Sequence, residues 1–390
     1  GGVIGIAYGN VNVSNVISRV DVTTGSNGQK GHCGGVVASG EWFGSTNGNL
    51  NVSNCANYGT LNLACADVSG GVIGYIRKGS ITDCLNVGDV TNSEDGHTSG
   101  VLGYVREDGA SISRCLNVGS VTNTKNSEKV NPVCHINGTV STPDLYYKSG
   151  VCGTATNATE VSGEELESGS VAWLLNGSEA GESPVWRQTI GEDEYPVLDV
   201  KQGIVIYCTQ TGLNSIVRPT AGTLVGVSDV YNFAGIEGKK VYGIPQTGTL
   251  AAAHPYVFTT NCEYVSFVPS DEDVTDNTET CGLTGVLDPA GKKVYGKDNT
   301  AGEDVSIVFT ADALKYANPK GNTVKYGKCY INAEECFITN EPVGASKIAS
   351  AFEDGVDGLE NVSIDSVEGE TYNLQGIPVG DNYKGFIIQN

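Results

Sequence analysis

The polar and apolar positions of the first 150 residues repeat as two alternating phrases. One is Gly-Gly-Val-Ile-Gly, at Gly1–Gly5, Gly34–Val37, Gly70–Tyr75 and, shortened, at Gly100–Tyr104. The other is Ser80-Ile81-Thr82-Asp83-Cys84-Leu85-Asn86-Val87-Gly88-Asp89-Val90. It returns at Ser111–Val121, at Asn51–Leu61 and, faintly, at Asn12–Val22. Each phrase is a short β-type run. In the second, period two puts Cys84, Asn86, Gly88 and Val90 on one face and Leu85, Val87 and Asp89 on the other. A recurring unit of roughly 30 residues predicts an array in which stacked neighbours bury what one repeat cannot. The fold class expected is all-β, with a parallel β-helix or solenoid over residues 1–150.

The pattern then changes. Ser162 with Glu165 fits a capping box ahead of Leu166, Val171, Trp173, Leu174 and Leu175, which predicts one short helix stopped at Asn176-Gly177. Residues 151–202 are expected to cap the open end of the solenoid. From 203 to 345, alternating runs such as Ile204–Tyr207, Tyr256–Phe258, Tyr264–Val268 and Val305–Phe309 sit between turn residues and predict an antiparallel, sandwich-like domain. Residues 346–390 are expected to form a C-terminal β-tail with a hairpin of Thr371–Val379 and Lys384–Ile388.

Recurrence decides how the cysteines and asparagines are read. Cys55, Cys84 and Cys115 occupy one place in successive repeats, as do Asn57, Asn86 and Asn117. Stacked repeats would turn them into a structural ladder, with Cys serving as a small hydrophobe. Cys262 with Cys281, and Cys329 with Cys336, are candidate disulfides.

Composition narrows the function classes. A net charge of −22 argues against nucleic acid, whose phosphates such a chain repels. No apolar run reaches the roughly 20 residues a membrane helix needs. The chain begins inside a repeat with no signal peptide, so a mature or trimmed fragment is expected, any export signal having been removed.

Candidate chemistry is sparse. His32, His97, His135 and His254 fall in no metal-binding spacing, and His32 and His97 read as loop residues. No Gly-x-Ser-x-Gly elbow or phosphate-binding loop occurs. A polysaccharide lyase or hydrolase on a parallel β-helix needs outward carboxylates on neighbouring layers. The corresponding positions are Asp83 with Arg114 and Asp89 with Ser120, which make no carboxylate pair. No catalytic residue is assigned. Asp271, Asp273 and Asp276, in an acidic run, are the calcium candidates, and no other cofactor is expected.

The paired Gly-Gly-Val-Ile-Gly-Tyr and Cys-x-Asn-x-Gly-x-Val phrases resemble the GLUG-type repeats of secreted and surface proteins of Bacteroidetes-like bacteria. The first unit departs from them, with Val16 for Cys and Ser18 for Asn. The resemblance implies a secreted or outer-membrane-associated protein. Two functions follow as expectations. The first is non-enzymatic: adhesion, binding of a glycan or surface protein, or a structural part of a surface assembly, with self-association through the solenoid end. The alternative is a carbohydrate-active enzyme working on the solenoid face.

Overall fold

The computed structural model describes residues 1–26, 31–41, 48–64, 66–106, 110–137, 139–153, 157–208, 212–311, 314–351, 371–373 and 387–389. The chain is nearly all β, with parallel sheets in its first part and antiparallel sheets in its second. Among the described residues no helix is long and apolar enough to cross a membrane.

The two phrases account for two of four parallel sheets. The glycine phrases supply Ile4–Tyr8, Val37–Glu41, Ile73–Ile76 and Leu102–Val105, stacked in register, and Cys134–Ile136 joins them across a register shift. The Cys–Asn phrases supply Val11–Ser14, Leu50–Asn57, Gly79–Asn86 and Cys115–Asn117, with Leu145–Lys148 and then Thr159–Val161 added at the end. Each repeat also donates a strand to two further parallel sheets. One runs through Leu61–Leu63, Val90–Asn92 and Val121–Asn123, the other through Gly31–Gly34, Ala66–Gly70, His97–Ser99 and Val130–Asn131. A repeat therefore holds up to four strands rather than two. The extra ones are two to five residues long, too short to show a period. Inside the stack, Val36, Val52, Val72, Ile73, Ile81, Val101, Leu102, Ile112 and Val133 are fully buried. Each contributes about 1.5–3 kcal/mol by burial.

The residue before each ladder position is left-handed: Asn15, Asn54, Asp83, Arg114 and Asp144 have φ of 58°, 52°, 52°, 48° and 57°. Asn and Asp tolerate this region, and Arg does not by itself. Arg114 is held there by Asp83 one layer away, to which its Nε donates at 2.8 Å and its Nη2 at 2.7 Å.

The helical segment is two helices, α1 (Gly163–Glu167) and α2 (Ser170–Leu175), not one. Gly169 at φ 91° breaks the run, and the Ser162–Glu165 capping box starts α1. The segment lies along a flank of the stack. Leu166, Val171, Leu175 and Trp186 pack on Ala56, Leu85, Leu116 and Tyr146, the outward column of the Cys–Asn sheet. A flank of the stack is thus dry: Leu85 on one face and Cys84 on the other are both fully buried. At the other end the strands Ile4–Tyr8 and Val11–Ser14 are sheet edges, and Val3, Ile6 and Tyr8 are half or more exposed.

The antiparallel part begins with Ile204–Tyr207, which pairs with Tyr264–Pro269, itself paired with Gly222–Val225. A five-stranded sheet follows, ordered Leu213–Ile216, Tyr256–Thr259, Asp229–Glu237, Lys240–Gln246 and Ser346–Ser350. Its long hairpin, 229–237 with 240–246, turns at Gly238, φ 58°. Because Ser346–Ser350 is an edge strand of this sheet, residue 346 does not start a separate tail. A four-stranded sheet of Leu283–Gly285, Cys329–Asn332, Ser306–Phe309 and Leu314–Tyr316 covers one core with Phe233, Ile236, Val241, Val257 and Ile331. In the tail, Thr371–Asn373 pairs antiparallel with Ile387–Gln389. The remainder of the expected hairpin, residues 374–386, lies outside the described residues.

Candidate functional site

The recurring polar side chains are consumed by the stack. Asn57, Asn86 and Asn117 are fully buried. Asn57 Nδ2 donates to Asn86 Oδ1 at 2.9 Å, and Asn86 Nδ2 donates to Asn117 Oδ1 at 2.8 Å. Each also donates to a carbonyl two residues on, at Gly59, Gly88 and Gly119. The glycine phrase makes the room. A Cβ on Gly35, Gly71 or Gly100 would lie 2.3, 2.2 or 2.3 Å from the side chain of Asn57, Asn86 or Asn117. In the first unit Ser18 stands in for Asn, beside Gly2. Cys55, Cys84 and Cys115 are fully buried and stacked beside this ladder, Cys55 in register with Cys84. Burial pushes the Cys55 thiol up to about 12 and the Cys84 thiol well above its ordinary value, so neither is a nucleophile.

The positions that could carry layered carboxylates carry structure instead. Asp83 accepts from Arg114 and, at 3.1 Å, from Nε1 of the fully buried Trp186. Asp89 accepts the Ser120 backbone N–H at 2.9 Å. Glu94 and Asp95 pair with Lys125 at 2.8 Å and Lys129 at 2.9 Å one layer on.

Three of the four histidines form an aromatic column that the sequence did not reveal. His32 and His97 are on strands, not loops, both in register with Val68. Ring centroids run His32–Tyr75 at 4.3 Å, Tyr75–Tyr104 at 6.2 Å, Tyr104–His135 at 5.5 Å and His135–His97 at 3.8 Å. Desolvation lowers His32 and His135, and lowers His97 to about 4, with His135 and Lys129 adding to the last shift. Neutral rings can stack this closely, whereas two imidazolium ions would repel. His32 Nδ1 lies 3.0 Å from Ser39 Oγ, whose hydroxyl donates to Glu41 at 3.2 Å. With the serine between base and acid, this is not the order of a nucleophilic triad.

Exposed Tyr58, Tyr75, Tyr104 or Trp42 would mark a flat binding face, but Tyr75 is buried, Tyr104 is half-buried in the aromatic column and Tyr58 lies under the Arg19 guanidinium at 4.4 Å. Trp42 lies outside the described residues.

The calcium candidates do not converge. Asp271 and Asp273 are exposed. Asp276 points inward, accepting from Thr278 N at 2.9 Å, Tyr256 Oη at 3.0 Å and Asn232 Nδ2 at 3.1 Å. Burial would raise its pKa, but these bonds prevail and hold it at about 2. Among the described residues no three His, Cys, Asp or Glu side chains gather as a metal ion requires. The expected disulfides are also absent: Cys262, Cys281, Cys329 and Cys336 are free thiols. Cys262 follows the strand Tyr256–Thr259 and is exposed, while Cys281 packs against the core that holds Cys329 and Cys336.

What the tertiary structure adds is a cavity of about 890 Å³ where α2 meets the antiparallel sheets. Trp173, Tyr207, Leu213, Ser215, Tyr326 and Lys328 are among its lining residues. Trp173 and Tyr207 stack at 6.1 Å, and Tyr264 meets Tyr207 edge-on at 5.7 Å. Lys328 Nζ donates to the Tyr207 carbonyl at 3.2 Å. Burial lowers its pKa, which nearby Cys208 and Cys329 partly oppose. The lining comes from five separate stretches of sequence, so no local motif could announce it.

No protein-family model, no curated protein and no solved structure matches this chain.

Proposed function

We propose that this protein is a secreted or cell-surface binding protein without catalytic activity. In this reading the N-terminal repeats are a GLUG-type β-solenoid acting as a rigid spacer. The sandwich-like antiparallel part presents the ligand site. The observation that carries the reading is the contrast between the two halves. In the repeats, the polar side chains at the recurring positions bond to one another or to the covering segment, and the candidate carboxylates Asp83 and Asp89 are taken up in such bonds. In the second half, an aromatic-lined cavity of about 890 Å³ carries two lysines, Lys328 and a Lys325 already paired with Glu179, a composition and size typical of ligand pockets. A glycan-array screen run beside a hydrolysis screen on the same purified protein tests it. Saturable binding that Trp173→Ala weakens, with no turnover, is expected. Turnover of any polysaccharide would overturn the non-enzymatic reading.

A further inference from the structure

Three cations at or behind the wall of this cavity, Lys328, Arg218 and Arg187, meet no carboxylate among the described residues, although the chain holds 45 acidic against 23 basic residues. Lys328 donates to one backbone carbonyl and meets no carboxylate among the described residues. Behind it, Arg218 is 3% exposed and spends its guanidinium on the carbonyls of Ala180, at 3.0 Å, and Gly181, at 3.3 Å. Arg187 is 6% exposed, donates from Nε to the Pro184 carbonyl at 2.9 Å, and leaves Nη1 without a partner. Desolvation is the main depressor of both Lys328 and Arg218; Cys208 and Cys329 oppose it at Lys328 and Tyr326 at Arg218, and the neighbouring arginine adds a smaller lowering in each case. Lys328 is half-buried, with the two buried arginines behind it, and a bound anion would relieve this concentration of positive charge. On the rim, Glu179 is already paired with Lys325 at 3.1 Å, and Glu182 is exposed.

The second half of the argument is shape. Tyr207 is 45% exposed and stacked on Trp173, so the cavity offers a flat aromatic wall beside the amine. A pyranose ring presents an apolar C–H face to such a wall. The two arginines are tied to carbonyls, so one ammonium with spare donors faces the ligand, which suits a singly charged carboxylate.

We propose that the cavity binds an acidic sugar, its ring against Trp173 and Tyr207 and its carboxylate on Lys328 Nζ. This rests on reading the cavity as the ligand site. The test is calorimetric titration of the full chain with oligogalacturonate, oligoglucuronate and oligomannuronate, each beside its neutral methyl ester. At least one free acid should bind at one site per chain, five-fold or more tighter than its ester. Lys328→Gln should bring the acid down to the ester's affinity, Lys328→Arg should keep the preference, and Trp173→Ala should weaken both forms. The comparison of acid with ester in the unaltered protein stands even if a variant fails to fold. Equal binding of acid and ester that Trp173→Ala still weakens would overturn the acidic-sugar assignment and leave the ligand cavity standing. Absence of any Trp173-dependent binding would overturn both.

Discussion

The asparagine ladder can be tested at its middle member. In Asn86→Ala, two donations, to Gly88 O and Asn117 Oδ1 at 2.8 Å each, and one acceptance, from Asn57 Nδ2 at 2.9 Å, are lost together. All three partners lie in the fully buried ladder region, out of reach of bulk water. Each orphaned buried group costs about 1–3 kcal/mol. Allowing for relaxation, the expected loss is about 3–6 kcal/mol, a large share of a domain's stability. Asn117 donates to Gly119 O and accepts from Asn86, so Asn117→Ala loses two bonds and should cost about 1 kcal/mol less. Asn62, exposed on the strand Leu61–Leu63, is the control, and Asn62→Ala should stay within about 0.5 kcal/mol. Urea titrations followed by far-UV circular dichroism give all three values, provided the slopes agree. If Asn86→Ala costs under about 1 kcal/mol, or no more than Asn62→Ala, the ladder does not hold the stack together.

Further outcomes follow from the same geometry. Gly71→Ala should be strongly destabilising even when combined with Asn86→Ala, because its Cβ would also lie 2.1 Å from the Gly100 carbonyl oxygen; rescue by the double substitution in thermal melts would contradict this. Asp83→Ala strips the Trp186 indole of its acceptor and leaves the left-handed Arg114 only Thr82 Oγ1, at 2.8 Å. With Arg114 partly solvated, a loss of about 2–3 kcal/mol is expected in urea unfolding, and a loss under about 0.5 would refute the bracing role. All four histidines are lowered by burial. Unfolded, they protonate near pH 6.5, whereas folded they stay neutral further down, His97 to about 4. Their stabilisation is therefore complete above about pH 6.5 and declines as pH falls towards 4. His97→Asn should flatten that decline in melts across this range, and an unchanged slope would count against the neutral column. Finally, a thiol reagent should label exposed Cys262 in the native protein, while Cys55, Cys84, Cys115, Cys134 and Cys329 react only after unfolding; rapid native labelling of that group would show the burial to be wrong.

The sequence by itself determined the register of the stack. Identical residues at one place in successive repeats can satisfy each other only in parallel, in-register layers, so the columns of Cys55 and Cys84, and of Asn57, Asn86 and Asn117, were legible as text. So was the all-β character, and so was the start of α1 at Ser162 with Glu165, whose partners are three residues apart. The fit of Gly71 against Asn86 was hidden, because it joins two phrases that face each other only after the chain turns. Tertiary structure alone decided that the outward column of Ala56, Leu85 and Leu116 is dry, since the covering residues lie up to 130 positions away. It also decided that His32, Tyr75, Tyr104, His135 and His97 meet, because they belong to different layers of two sheets. The cavity shows the same limit most clearly. Period and spacing report on neighbours along the chain, whereas Trp173, Tyr207 and Lys328 become neighbours only when α2 packs against the antiparallel sheets.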